Sequence, residues 1–265
     1  MSNGGRFREL RSFLLVLLVV VGAAKACDRS EPPSSTVSTP IPVTNPIQDI
    51  LRQGNPAPSQ EGIAAVILVD TSGSMGEPVR DAEGNQKPKI KIAQQAAMNL
   101  VNQFDAYARE HPDQKITLGI YEFSQRSQSP SARPIVRLGP PNPDTARAAI
   151  FRMIANGDTP IGDAMIIAMK DLDATGFSRK HILVITDGDN TIGYSPDDVT
   201  RIIAGKSDTA RASVYFVAFD IAASRFNSVR DAGGLVLAAS NETDLKGTLD
   251  YVLSGKILAE QPTPR

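Results

Sequence analysis

The chain has 265 residues, 41% of them hydrophobic, and a formal charge of −1, which describes a globular protein with material for one large domain or two small ones. Its basic residues are scattered and its few aromatics do not interleave with them, which excludes the charged stripe and stacking platform of a nucleic-acid binder. A single cysteine permits no intrachain disulfide, so the fold must stand without one.

The first 26 residues have the three parts of an export signal: Arg6, Arg8 and Arg11, an apolar run at 13–24, and small residues at Ala24 and Ala26. The run is about twelve residues long, short of the roughly 20 that span a bilayer, so it predicts a cleaved signal and not a retained anchor. Cleavage after Ala26 makes Cys27 the new first residue. The stretch resembles a bacterial lipoprotein signal, whose exposed thiol is lipidated, and departs from it at Lys25, where a small uncharged residue is usual. Ordinary cleavage would instead leave a secreted protein with an unpaired thiol. Residues 27–61 are rich in Pro, Ser and Thr, which bury too little apolar surface to fold, and they predict a tether spanning tens of ångströms. Within it, 47–51 is apolar enough for one helical turn.

From Gly62 the texture changes to short β-branched runs alternating with helix-period segments, the pattern of a parallel sheet covered on both faces. Strands are predicted at 63–69, 116–123, 181–186, 212–219 and 235–238, each nearly continuous in hydrophobicity. A weaker one at 134–138, flanked by proline, suits an antiparallel edge paired with the strand before it. Helices are predicted at 90–109, where Ile92, Ala96, Leu100 and Phe104 share a face, and at 144–154, 161–172, 197–204 and 242–253. The expected fold is α/β and doubly wound: a six-stranded, mostly parallel sheet with one antiparallel edge strand and helices on both faces, over 62–258, followed by a disordered tail at 259–265.

Open parallel sheets bind ligands outside the carboxyl ends of their strands. Three oxygen-rich loops are expected there: Asp70-Thr71-Ser72-Gly73-Ser74, Thr186-Asp187-Gly188, and Gly157-Asp158-Thr159-Pro160 leading into a helix. Asp70, Ser72, Ser74, Thr159 and Asp187 should then converge at one rim. A set without sulfur or imidazole suits a hard divalent cation, Mg²⁺ first with Mn²⁺ or Ca²⁺ as alternatives, and not Zn²⁺. His111 and His181, the chain's two histidines, read as surface or packing residues. Taken alone, Asp-x-Ser-x-Ser is also an ordinary strand-to-helix turn, and Gly73 and Gly188 suit tight turns on either reading.

These segments, in this order, resemble a von Willebrand factor type A domain with its metal-ion-dependent adhesion site. The likeness covers about 62–256 and takes in Gly119-Ile120-Tyr121-Glu122-Phe123 and Ala232-Gly233-Gly234. It implies that Ser72, Ser74 and Thr159 are hydroxyl ligands, that Asp70 and Asp187 act mainly through water or behind the ligands, and that a sixth position awaits an acidic side chain of a partner protein. Two features depart from the family. A polar insertion at 76–89 is expected to hang over the rim, and Asp158, where the family often has glycine, is expected to face solvent. Asp189-Asn190 is expected to be a solvated turn.

The expected function is a protein-binding module, not an enzyme, held at a bacterial cell envelope by a lipidated Cys27 and facing the periplasm or exterior, or secreted if Cys27 is not lipidated. A metal-dependent hydrolase is one alternative, against which stands the lack of a legible Ser-His-Asp set or Walker-type glycine loop. A structural spacer that keeps the fold without the metal is the other, against which stands the complete set of hydroxyls.

Overall fold

Apolar runs become strands covered on both faces, and helix-period stripes become the covers. The computed structural model describes residues 45–53, 57–126 and 129–261; the export signal, Cys27 and the tether up to residue 44 lie outside these. In chain order come α1 (Pro46–Arg52), β1 (Gln60–Asp70), β2 (Pro78–Arg80), β3 (Gln86–Pro88), α2 (Lys89–Glu110), β4 (Ile116–Phe123), β5 (Ala132–Gly139) and α3 (Pro143–Ile150). After them come α4 (Ile161–Thr175), β6 (Phe177–Thr186), α5 (Pro196–Ala204), β7 (Ala212–Phe219), α6 (Asn227–Asp231), β8 (Leu235–Ala239) and α7 (Glu242–Val252).

Six strands form one sheet in the order β5-β4-β1-β6-β7-β8, parallel throughout except for the antiparallel edge pair β4–β5. The fold is therefore the doubly wound α/β architecture expected from the sequence. Side chains of β1 alternate between two cores: Ile63, Ala65, Ile67 and Val69 join the layer of α2, α3 and α7, and Ala64, Val66 and Leu68 join that of α1, α4 and α5. From β1 the chain proceeds through α2 to β4 on one side, and from β6 through α5 to β7 on the other. Strand order thus reverses between β1 and β6. A reversal of this kind is where an open sheet places its binding crevice, at the strands' carboxyl ends, and Asp70 and Asp187 lie buried there.

Several boundaries differ from the expectation, each for a local reason. The helix expected at 144–154 stops at Ile150, because Gln94 Nε2 donates to the carbonyls of Phe151 and Met153 at 3.3 and 2.9 Å and draws that segment out of the helical path. Strand β6 begins at Phe177 and not at 181. Its first residues carry charges that are paired: Arg179 with Glu61 at 2.8 Å and Lys180 with Asp173 at 2.7 Å. Inside the stretch read as tether, α1 is capped by Asn45 and buries Ile47 and Leu51 beside α4 and α5, and β1 already starts at Gln60.

The insertion at 76–89 is an ordered hairpin at the rim, beside Asp220 at the carboxyl end of β7. Strands β2 and β3 pair as an antiparallel hairpin, Val79 is buried, and Glu242 at the start of α7 accepts from Ala82 N at 3.2 Å and meets Lys87 Nζ at 3.3 Å. Paired backbone and these ties hold the hairpin to one side, against Asp220 and the β8–α7 junction.

At the amino end of the sheet, His181 has no exposed surface. Burial, with a smaller contribution from the charge of Arg179, pushes its pKa down to about 3, although Glu260 Oε2 lies 3.4 Å from Nε2. The folded state therefore keeps the ring neutral, whereas the unfolded chain takes up a proton near pH 6.5. Stability from this group is complete above that pH and is lost as pH falls from 6.5 toward 3. Urea unfolding is expected to show a loss approaching about 1.4 kcal/mol per pH unit below 6.5, with a smaller loss in His181→Gln. Equal pH slopes for the two proteins between pH 7 and 5 would contradict the assignment.

Candidate metal centre

Strand β1 ends on Asp70, and the chain folds straight back on that side chain. Asp70 Oδ1 accepts from Ser72 N at 2.7 Å, and Oδ2 accepts from Thr186 Oγ1 at 2.6 Å across the β1–β6 gap. A 3₁₀ turn at Gly73–Gly76 then aims Ser74 inward, so that Ser74 Oγ lies 3.1 Å from Ser72 Oγ and donates to Asp187 Oδ1 at 2.8 Å. Four of the five expected side chains are joined in one network.

Thr159 reaches the same place by way of the backbone. Gly73 N donates to Gly157 O at 2.9 Å and Asn156 N to Thr71 O at 2.8 Å, which zips the 156–159 loop onto the β1 loop. Thr191 N donates to Thr159 O at 3.0 Å, and Thr191 Oγ1 accepts from Thr159 N at 2.8 Å, which ties it to the loop after β6. A Cβ placed on Gly188 would stand 3.7 Å from both Ser74 Oγ and Thr159 Oγ1, so the two hydroxyls face one small volume that glycine leaves open. Gly157 has φ +98°, and a Cβ there would lie 2.4 Å from Gln125 O. That is where the turn demands glycine; Gly73 and Gly188, expected for that role, are not left-handed.

The remaining sequence expectations resolve separately. Asp158 is exposed and uses its backbone, not its carboxylate, to pair with Gln125. Asp189 forms an ion pair with Arg225, and Asn190 Oδ1 accepts from Gly162 N at 3.3 Å, so neither extends the cup. His111 closes α2 and stacks on Tyr107, and His181 lies in the amino half of β6, before the strand reaches Thr186.

Two residues at the site were not foreseen. Lys89, the first residue of α2, places Nζ 3.0 Å from Asp187 Oδ2 and 3.0 Å from Asp220 Oδ2. Burial works against its charge, but the bonds and charges of Asp187 and Asp220 outweigh it and hold the ammonium above its ordinary pKa. Asp220 follows β7 directly, so the strand-end argument applied to that strand would have found it. A signal for Lys89 was also present: a lysine opens a helix that has no acid in its first turn, against the helix dipole.

Burial is the main influence on Asp70, which has no exposed surface; it pushes the carboxyl up to about 7 despite the hydrogen bonds from Thr186 and Ser72, and the charge of Asp187 adds to the rise. A buried carboxyl at the edge of neutrality is one that a neighbouring cation would hold ionised. The donors are hydroxyl and carboxylate oxygens around a space that a single Cβ would fill, and they fit a small hard cation such as Mg²⁺ better than Zn²⁺. Elsewhere, carboxylates of Asp81, Glu83 and Glu242 lie within 4.8 Å of one another, with Glu242 already paired to Lys87.

Fold and site together define a doubly wound α/β domain with an oxygen-lined cup at its topological switch point. The chain belongs to the von Willebrand factor type A domain family, whose sequence model matches residues 65–245. Its fold is similar to that of the PilB minor pilin from Streptococcus sanguinis, at 16% identity and a TM-score of 0.56 over 78% of this chain and 65% of that one. Similar too are the von Willebrand domain of the type V pili tip protein Mfa5 from Porphyromonas gingivalis (10% identity, TM-score 0.56, 77% and 98% covered) and a von Willebrand factor type A protein from Catenulispora acidiphila (20%, 0.53, 71% and 41%). Of the minor pilin and the C. acidiphila protein, the chain thus spans less than two thirds. No curated protein sequence matches it.

Thr186 is the test of how much the cup depends on satisfying Asp70. Thr186→Val removes the hydroxyl donated to Oδ2 and is expected to cost about 1.5–3 kcal/mol in chemical unfolding, as for a lost hydrogen bond to a buried charged group. Thr186→Ser should recover most of it. A Val variant as stable as the parent at pH 8 would show that Asp70 finds its support elsewhere.

Proposed function

We propose that the cup between β1 and β6 takes a divalent cation, Mg²⁺ first with Mn²⁺ or Ca²⁺ as substitutes, and through it captures an acidic side chain of a partner protein, so that the chain is a binding module and not an enzyme. One observation carries this reading: the hydroxyls of Ser74 and Thr159 face the space above Gly188, Ser72 is bonded to Ser74, and Asp70 and Asp187 stand behind them. When bound, a dication supplies a poorly screened positive charge to a foreign carboxylate. Ser72, Ser74 and Thr159 offer neutral oxygens that leave such a charge largely intact. Asp70, locked by Ser72 N and Thr186, and Asp187, locked by Ser74 and Lys89, orient the hydroxyls and water. Neither histidine stands near enough to serve as a base, which favours binding over hydrolysis.

The wider setting is part of the proposal. A minor pilin and a pilus-tip domain carry the same fold, which supports a role in protein binding at a cell surface. Ahead of the domain, the signal-like segment and Cys27 support a lipid anchor in a bacterial envelope. One observation favours the metal-free alternative, since the ammonium of Lys89 already neutralises Asp187.

Calorimetric titration of Mg²⁺ and Mn²⁺ separates the readings. The parent chain is expected to bind, with Thr159→Val and Asp70→Ala weakened by about 10–100-fold. Affinity capture from envelope extracts in Mg²⁺ should yield a partner that EDTA elutes, and Cys27→Ser should move the protein out of the membrane fraction. Partner binding indifferent to both EDTA and Asp70→Ala would remove the cation from the mechanism.

A further inference from the structure

Lys89 breaks a local rule: it opens a 22-residue helix at the positive end of the dipole, with no first-turn acid beside it. Its side chain is nevertheless only 5% exposed and points at the cup, contacting Asp187 Oδ2 and Asp220 Oδ2 at 3.0 Å each and Glu77 Oε2 at 3.4 Å. These acids are unequal. The Asp187 side chain is fully buried, whereas those of Asp220 and Glu77 are 39% and 69% exposed, so water screens the latter two. The buried part of the site therefore holds two carboxylates, Asp70 and Asp187, and one ammonium.

We propose that Lys89 sets the strength of the cation site, because its ammonium occupies one oxygen of Asp187 and places a fixed positive charge beside the cup, weakening the site's hold on a dication. The proposal rests on the cation-binding reading above. With Lys89, the buried groups carry a net charge of −1 and a dication leaves the site positive toward an incoming acid. Without it, the same groups carry −2, grip a dication harder and end neutral. Asp220 tunes the effect in the opposite sense by drawing the ammonium's charge toward solvent. Its φ of 56° is one that asparagine tolerates as readily as aspartate, so Asp220→Asn alters charge and leaves the backbone in place.

The experiment is a calorimetric titration of Mn²⁺ into the full chain and its Lys89→Met and Asp220→Asn variants, with circular dichroism confirming the fold of each. Lys89→Met is expected to bind Mn²⁺ about tenfold more tightly, and Asp220→Asn several-fold more weakly. Opposite shifts are the signature; a merely structural tie would loosen the site in both. A folded Lys89→Met with equal or lower affinity overturns the proposal and makes Lys89 a fastening for the hairpin. If Lys89→Met does not fold, Asp220→Asn decides, and an affinity equal to or above the parent's overturns it. A parent chain that takes up no Mn²⁺ brings down the cation reading itself, a result distinct from failure of this inference.

Discussion

A carboxylate with no exposed surface sits where the sheet reverses direction, and the surrounding loops are arranged to keep it there. Asp70 ends the central strand β1 beside β6, and each of its oxygens is accounted for, one by the backbone of its own turn and one by Thr186 across the gap. Burial still drives that carboxyl toward neutrality, so its neighbours do not fully compensate its charge. Everything that makes the cup specific is built around this imbalance. Backbone bonds from Gly73 to Gly157, Asn156 to Thr71 and Thr191 to Thr159 fasten three loops far apart in sequence into one wall. For the proposed cation a rigid wall matters, because hydroxyl oxygens set in position beforehand need no reordering to hold it.

Charge also explains why the insertion at 76–89 is ordered. The hairpin of β2 and β3 is anchored at its base by Val79 and at its flank by Glu242, and its exit through Pro88 delivers Lys89 to Asp187. A segment that looks like polar decoration thereby ends inside the site. Burying a lysine is unfavourable unless its charge is met, and here two aspartates at the ends of adjacent strands meet it. Site and insertion therefore form one electrostatic unit at the carboxyl ends of β6 and β7.

Most of the architecture was legible along the chain. The strands at 116–123 and 212–219 occur with the expected bounds, since a strand buried on both faces reads as a nearly continuous apolar run. Proline-flanked 134–138 became the antiparallel edge β5, extended to Ala132–Gly139, for the same reason that proline is tolerated at edges. Elements were misjudged where pairing hid the pattern, as at the charged start of β6, or where a side chain from another element cut a helix short, as Gln94 does after Ile150.

By itself the sequence determined which loops would bring oxygen-bearing side chains together, because strand periodicity puts Asp70, Thr159 and Asp187 at strand or helix ends, where an open sheet keeps its crevice. Only the tertiary structure decided which charge neutralises which. Ion pairs such as Lys89 with Asp187 and Asp220, and Lys87 with Glu242, join residues separated by long stretches of chain, and no local periodicity encodes a partner that distant. The same holds for the glycine that the turn requires: Gly157 is forced by the nearness of Gln125 O, a contact that exists only once the loops have met.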